Sequence, residues 1–246
     1  MGFLIEILLL SLAAGISTFL GSVIVMFTNS CTKKSLAFFL GLAAGIMSGV
    51  VFFDLIPSSL KYGTLLSSLG GFITGVGILF ILDGMMGTMM NFLDSSFNAS
   101  GHLLRLGTLV GIGIALHDFP EGIAIAAGYT AEVRLGAVIA FAIGLHNIPE
   151  GMAVAAPLLM GGMGKRRTAA AAALVSLATP IGAVLGFWLV NLSENFISFM
   201  LALAGGAMAY IVALELVPEA VRNNTGMSLK GALVGFAVIL FLSGNF

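Results

Sequence analysis

Two copies of one polar motif stand out in this chain, because each combines metal-binding residue types with a spacing that places them on one helix face. The first copy runs His117-Asp118-Phe119-Pro120-Glu121-Gly122, and the second, 29 residues later, runs His146-Asn147-Ile148-Pro149-Glu150-Gly151. The histidine and the glutamate of each copy are four residues apart, so in a helix they share a face. Imidazole nitrogens and carboxylate oxygens bind Zn²⁺ and similar divalent metals. The motif therefore predicts a metal site built from both copies.

The elements that hold the motif are predicted to lie in a membrane. Of the 246 residues, 59% are hydrophobic and only 9% are charged, and the mean hydropathy is +1.12. Soluble domains carry about 25% charged residues, and apolar runs of about 20 residues indicate transmembrane helices. The spans leave no room for a soluble domain, and no basic run indicates nucleic-acid binding. Residues 1–246 are therefore predicted to form a single transmembrane domain in the lipid bilayer.

Eight transmembrane helices are predicted, so the fold class is an all-α polytopic membrane protein. The spans are predicted at 3–28, 36–58, 65–92, 104–129, 134–160, 168–191, 196–218 and 227–245. Lys and Arg favour the cytoplasmic side of a membrane. All of them except Lys61 and Arg134 fall on the side of the loops that follow odd-numbered spans. This asymmetry predicts that both termini lie outside the cytoplasm.

The sequence also repeats internally. The stretch 41–57 aligns with 202–218, the first predicted helix aligns with the sixth, and the fourth aligns with the fifth through the two motif copies. The aligned pairs include Asp54 with Glu215, Ser11 with Ser176 and Gly21 with Gly186. Each aligned pair of helices is separated by an odd number of spans, so its members run in opposite directions. An inverted 3+2+3 repeat of this kind is typical of secondary transporters, whose site lies near the midplane.

The motif falls near the middle of the fourth and fifth spans, where ionisable groups are costly. Each of Asp118, Glu121 and Glu150 would cost about 2.5–3.5 kcal/mol at the bilayer centre. A divalent cation, protons or a water-filled path must offset this cost, and the residues alone leave a proton relay open. Pro120 and Pro149 each remove one helix hydrogen bond and free a backbone carbonyl beside the histidine.

The two motif copies resemble the fourth and fifth helices of the ZIP (Zrt/Irt-like) family of divalent metal transporters, particularly its short bacterial, GufA-like members. The resemblance extends over essentially the whole chain. It implies a first ion held by His117, Glu121, His146 and Glu150. It also implies that Asp118 and Asn147 hold a second ion, with the two glutamates bridging. A homodimer is implied as well, in which helices 1, 4, 5 and 6 carry the metal and slide against helices 2, 3, 7 and 8.

The sixth predicted helix departs from the family pattern. Many members carry a Glu-Pro there whose carboxylate joins the second ion, whereas this chain has Thr179-Pro180. A neutral hydroxyl is a weaker ligand than a carboxylate. Thr179 is therefore predicted to bind a second ion weakly or through water, or the second ion is absent.

Acidic residues also occur at the predicted ends of other spans. Asp54 ends the second span and is predicted to collect cations at the outer mouth of a pathway. Glu215 and Glu219 end the seventh span and are predicted to receive them at the inner mouth. Capping of helix ends in the headgroup region is the alternative for all three. Asp83 lies within the third span, and the sequence indicates no partner for it.

The function predicted from these features is a secondary transporter that moves a divalent transition metal into the cytoplasm across the plasma (inner) membrane. Zn²⁺ is the favoured substrate, and Fe²⁺, Mn²⁺, Co²⁺ and Cd²⁺ also suit the ligands. The chain is predicted not to be an enzyme and to need no cofactor besides its transported ion. Three alternatives stay open: a proton-coupled or alkali-cation carrier, an intramembrane metalloenzyme and a regulated channel.

Overall fold

The computed structural model of the chain describes residues 2–27, 32–93, 99–131, 133–189 and 194–243. Within these residues the chain forms ten α-helices and two π-helical turns. In chain order the α-helices are α1 Gly2–Phe27, α2 Lys33–Val50, α3 Ile56–Tyr62, α4 Leu65–Leu93, α5 Ala99–Ala131, α6 Val133–Met160, α7 Lys165–Ser176, α8 Ala178–Leu189, α9 Glu194–Tyr210 and α10 Val217–Ser243. The π-helical turns are Val51–Leu55 and Ile211–Leu216.

Seven stretches of the described chain are long and apolar enough to cross a membrane, which confirms the prediction of an α-helical polytopic membrane protein. The last stretch, Asn195–Phe241, has 47 residues and includes most of the predicted seventh and eighth spans. A straight helix of that length would measure about 70 Å, more than twice the hydrocarbon thickness of about 30 Å. Asn224 interrupts this stretch with extended backbone at φ −169° and ψ 105°. The predicted span ends at 28, 191 and 245 lie outside the described residues.

The helices form two packing groups. In the first, here called the motif group (α1, α5, α6, α7 and α8), α6 packs against both α1 and α5, and α5 also packs against α8. In the second, called the frame group (α2, α3, α4, α9, α10 and the two π-helical turns), α2 packs against α10, and α4 against α9. The two groups meet where α5 contacts α9 and where α2 contacts α6. The motif helices therefore lie between α1 and α8 on one side and the frame group on the other.

Two glycines of the motif let neighbouring backbones approach α5 and α6 closely. A Cβ on Gly151 of α6 would collide with the backbone carbonyl of Thr18 on α1. In the same way, a Cβ on Gly122 of α5 would collide with the carbonyl of Thr179 on α8. The glutamate of each motif copy therefore precedes a direct backbone contact with a flanking helix.

Contacts in the frame group fix the directions of its helices. Gly41 and Gly45 of α2 lie against Ser228 and Ala232 of α10, respectively, so these two segments are parallel. On the other face, Ser59 Oγ donates a hydrogen bond of 2.9 Å to the Ser198 carbonyl, and Leu55 lies against Gly205. Residues 198–205 therefore run opposite to the α2–α3 segment and also opposite to residues 228–232. The chain thus reverses direction on either side of Asn224.

The two π-helical turns occupy positions that the sequence repeat aligns. The turn Val51–Leu55 contains Asp54 and is followed by Pro57, and the turn Ile211–Leu216 contains Glu215 and is followed by Pro218. A proline inside a helix excludes the ordinary hydrogen bond to the residue four positions back. The backbone just before each proline widens, and π-helical turns of this kind occur frequently at functional sites.

Candidate metal centre

The six motif residues lie together in the interior, three on α5 and three on α6. Their exposed fractions range from 0% to 6%; they are His117, Asp118, Glu121, His146, Asn147 and Glu150. Each copy lies within one continuous helix despite Pro120 and Pro149. The four-residue spacing therefore puts the histidine and the glutamate of each copy into the contact between α5 and α6.

The histidines pair across the two helices. His117 Nε2 of α5 lies 3.2 Å from Glu150 Oε2 of α6, and His146 Nε2 of α6 lies 3.1 Å from Glu121 Oε1 of α5. Ligand atoms about 2.0–2.1 Å from a tetrahedral Zn²⁺ are separated by roughly 3.3–3.4 Å. One ligand atom each from His117, Asp118 and Glu121 also lie within 4.8 Å of one another. The spacing of these atoms fits the ligands of a small divalent cation.

The His117 ring is oriented by the backbone. Its Nδ1 lies 3.2 Å from the carbonyl oxygen of Gly113, one turn earlier in α5. When Nδ1 carries the proton and donates to this carbonyl, the lone pair of Nε2 faces the carboxylates. Backbone partners of this kind commonly fix the tautomer of a metal-binding histidine.

Most of the motif's oxygen atoms have no hydrogen-bond partner in the protein. Among the described residues, the buried polar atoms without a hydrogen bond are Thr18 Oγ1, both Asp118 carboxylate oxygens, Glu121 Oε2, Asn147 Oδ1, Glu150 Oε1 and Thr179 Oγ1. Asn147 Nδ2 donates to the Ala14 carbonyl at 3.2 Å, which leaves its oxygen free. Buried polar groups without partners are costly. All seven atoms are oxygens, so a cation or its water ligands would satisfy them.

A cavity of about 540 Å³ leads to one side of the motif. Glu121 and His146 lie in its wall, and so does Asp54 from the π-helical turn of the frame group. Tyr62 and Phe196 also line it, next to the α3–α4 and α8–α9 connections. The structure thus brings Asp54 to a space shared with two motif residues, and the cavity lies between the motif and frame groups.

A network of charged side chains joins the first turns of α5 to the frame group. It is here called the Arg105 network and consists of His102, Arg105, Asp83, Glu215 and Glu219. Arg105 of α5 forms an ion pair with Asp83 of α4 and lies 3.3 Å from Glu215. His102 Nε2 lies 2.8 Å from Glu219 Oε2. All three contacts connect α5 of the motif group to the frame group.

The Arg105 network supplies partners that the sequence does not indicate. Asp83 pairs with Arg105 and accepts a hydrogen bond of 3.0 Å from the Tyr210 hydroxyl. Arg105 lies within α5, and its side chain is only 16% exposed. Asp83 and Glu215 are 22 and 110 residues from Arg105 in sequence. Composition and helical periodicity cannot indicate such distant pairs.

Thr179 and the unpredicted Thr18 are two further polar residues beside the motif. Both are completely buried, and each contacts the glycine that follows a motif glutamate. Sequence reasoning selected Thr179 only through a family pattern. Thr18 gave no such signal, although a shift of 161 residues relates it to Thr179 as it relates Asp54 to Glu215.

Comparisons with known proteins agree on one group of relatives. A family profile described as "ZIP Zinc transporter" matches residues 91–243. A protein of Chlorobium luteolum named zinc transporter ZupT is 34% identical over an alignment that covers 94% of each chain. Proteins with the same name from Corynebacterium glutamicum and Stenotrophomonas maltophilia are 30% and 32% identical. They match 94% and 92% of this chain, and 95% and 90% of their own lengths, respectively.

Proposed function

The chain belongs to the ZIP family, and we propose on that premise that it carries a divalent transition metal, Zn²⁺ first, into the cytoplasm through a site between α5 and α6. It is an integral membrane protein and a transporter rather than an enzyme. The names of its relatives specify zinc. Nothing in the ligand set excludes Fe²⁺, Mn²⁺, Co²⁺ or Cd²⁺, which also bind imidazole and carboxylate.

The observation that carries this proposal is the crossed pairing of the motif. Each histidine faces the glutamate of the other copy at 3.1–3.2 Å, and all four side chains are buried. Two histidines and two carboxylates form a ligand set for one transition-metal ion. Asp118 and Asn147 add oxygen atoms without partners, which supports a second ion bridged by the glutamates. Thr179 could contact that second ion only through a neutral oxygen.

The cavity and the Arg105 network support a path with one open and one closed end. Asp54 shares the cavity with Glu121 and His146, which supports its role at the outer mouth. At the other end of the path, Glu215 pairs with Arg105 and Glu219 pairs with His102. We infer that they receive the ion only after the motif group has moved against the frame group and broken these pairs.

The same contacts support the finer topology. The direction reversal around Asn224 favours counting Asn195–Phe241 as two spans, which makes eight. Contacts in the motif group favour an inverted repeat, because Gly21 lies against Ile148 as Gly182 lies against Phe119. This packing favours pairing Gly21 with Gly182, one helical turn from the sequence alignment with Gly186. External termini, a plasma-membrane location and a homodimer complete the proposal on the charge pattern and the family resemblance.

The test is uptake of Zn²⁺ into proteoliposomes that contain either the wild type or the double variant His117→Ala/Glu150→Ala. We expect uptake by the wild type and none above empty vesicles for the variant, since it removes one complete crossed pair. Thr108→Val is a suitable control, because the Thr108 side chain is exposed and bonds only to its own helix. Proton or alkali-cation flux without any divalent metal would instead support the carrier alternative, and conductance far above carrier rates would support a channel.

A further inference from the structure

Thr18 and Thr179 differ from the other helical threonines whose side chains the structure describes. Threonine hydroxyls inside helices usually bond back to the carbonyl four residues earlier. Five threonines of this chain do so, at 2.7–3.4 Å: Thr74, Thr108, Thr130, Thr168 and Thr225. Thr18 and Thr179 are fully buried, yet their hydroxyls bond to nothing in the protein.

The local structure explains why neither hydroxyl uses its own helix. The carbonyl four residues before Thr18 belongs to Ala14, and it accepts a hydrogen bond of 3.2 Å from the motif residue Asn147. Thr179 lies in the first turn of α8, just after the break at Leu177 between α7 and α8. The carbonyl that would suit it is therefore in the preceding helix.

The two threonines occupy matched places around the motif. The backbone carbonyl of Thr18 lies against Gly151 of α6, directly after Glu150, and that of Thr179 lies against Gly122 of α5, directly after Glu121. Both glutamates keep one buried oxygen without a hydrogen bond. A hydroxyl can accept from a water molecule and donate to a carboxylate. Each hydroxyl can therefore accept a hydrogen bond from a water ligand of the cation while it donates one to a glutamate oxygen.

We propose that Thr18 and Thr179 bind water ligands of the cation from two neighbouring helices, so that α1 and α8 as well as α5 and α6 contact the hydrated ion. This inference rests on the proposed function. It makes Thr18 a positioning residue of the site and gives Thr179 the same role, in place of direct coordination. It also favours cations that keep part of their water shell when bound.

The test compares the isosteric variants Thr18→Val, Thr179→Val and the double variant with the wild type. Cd²⁺ and Zn²⁺ affinity is measured on purified protein by calorimetry, and thermal unfolding is recorded with and without the metal. Because a typical hydrogen bond contributes a factor of roughly three to ten in an equilibrium, each single variant should weaken binding about three- to tenfold. Thr18→Ser and Thr179→Ser should restore most of the affinity.

The metal-free unfolding temperature separates this role from a purely structural one. Removing a buried hydroxyl that has no protein partner should leave that temperature unchanged or raise it, while the increase produced by metal becomes smaller. Thr130→Val, which breaks a hydrogen bond of 2.7 Å to Ala126, serves as a control that should leave metal affinity unchanged. Unchanged affinity in the double valine variant would overturn the inference alone, whereas a wild type that binds no divalent metal would overturn the proposed function.

Discussion

Asp118 and Asn147 occupy matched positions in the two motif copies, but the protein satisfies them differently. Asn147 is oriented by its bond to the Ala14 carbonyl. Neither Asp118 oxygen has a hydrogen bond, although Oδ1 lies 3.3 Å from His117 Nε2. A buried carboxylate in this state is unfavourable unless a cation or a proton neutralises it. The difference predicts that Asp118 is the motif residue that depends most on a bound cation.

Asp118→Asn should therefore change stability and binding in opposite directions. The metal-free protein should unfold at the same or a higher temperature, because a buried charge without a hydrogen bond is removed. Divalent metal should bind about tenfold more weakly or worse, since one anionic ligand is lost. Thermal unfolding with and without Cd²⁺ measures both effects. A lower metal-free unfolding temperature with unchanged affinity would assign Asp118 a structural role instead.

Individual residues also show what the sequence can and cannot predict at this scale. The six motif residues could be selected because a helix converts a four-residue spacing into a shared face, and the structure buries all six and pairs each histidine with a glutamate of the other copy. Thr18 could not be selected, because its importance depends on which backbone carbonyl Asn147 occupies. That choice is made by the packing of α1 on α6 and leaves no periodic signal.

Among the helices, α5 links the motif group to the frame group through the Arg105 network. Arg105 is the cation shared by Asp83 and Glu215, and all three side chains are at most 21% exposed. Removing one partner of a mostly buried ion pair leaves a charge without compensation. The network therefore holds α5 against α4 and the π-helical turn Ile211–Leu216 for as long as Arg105 stays in place.

Arg105→Gln should destabilise the protein by roughly 1–3 kcal/mol, less than a fully buried pair because of partial exposure. Hydrogen exchange should also become faster in the first turns of α5. Adding Asp83→Asn and Glu215→Gln should recover much of the stability, since no unpaired carboxylate then remains at Arg105. Arg222→Gln is the matched control: its side chain is 65% exposed and 3.6 Å from Glu219, so no measurable change is expected. Equal effects of both arginine variants would contradict this account.

The sequence predicted the positions of the helices along the chain better than it predicted which helices pack together. Long apolar runs predicted the first six spans because a membrane helix needs about 20 apolar residues. The predicted seventh and eighth spans, 196–218 and 227–245, fall largely within the single apolar stretch Asn195–Phe241, and the extended backbone at Asn224 and the neighbouring contacts indicate a reversal between them. The predicted register between the first and sixth spans relied on small, common residues. Direct contacts of Gly21 and Gly182 favour a shift of one turn.

For the whole molecule, the charge asymmetry and the position of the cavity together predict the side of the membrane from which the motif is reached. Lys165, Arg166 and Arg167 begin α7, so the preceding turn at Gly162 and Gly164 is expected in the cytoplasm. The cavity that contains Glu121 and His146 lies near Tyr62 and Phe196, which border connections assigned to the outer side. Together they predict that the motif is reached from outside in this conformation.

Single cysteines test both parts of that statement in a Cys31→Ser background. Gly164→Cys, exposed and with open space around its Cβ, should react with a membrane-impermeant thiol reagent only from the cytoplasmic side. Ala127→Cys, in the cavity wall, should react only from outside, and Zn²⁺ should slow the reaction if ions occupy the same space. Leu174→Cys faces outward from α7 and is 71% exposed, so in lipid it should react from neither side. Reaction of Gly164→Cys from outside would show that the topology is the reverse of the predicted one. Labelling of Ala127→Cys from the cytoplasm alone would show that the cavity opens to the cytoplasm.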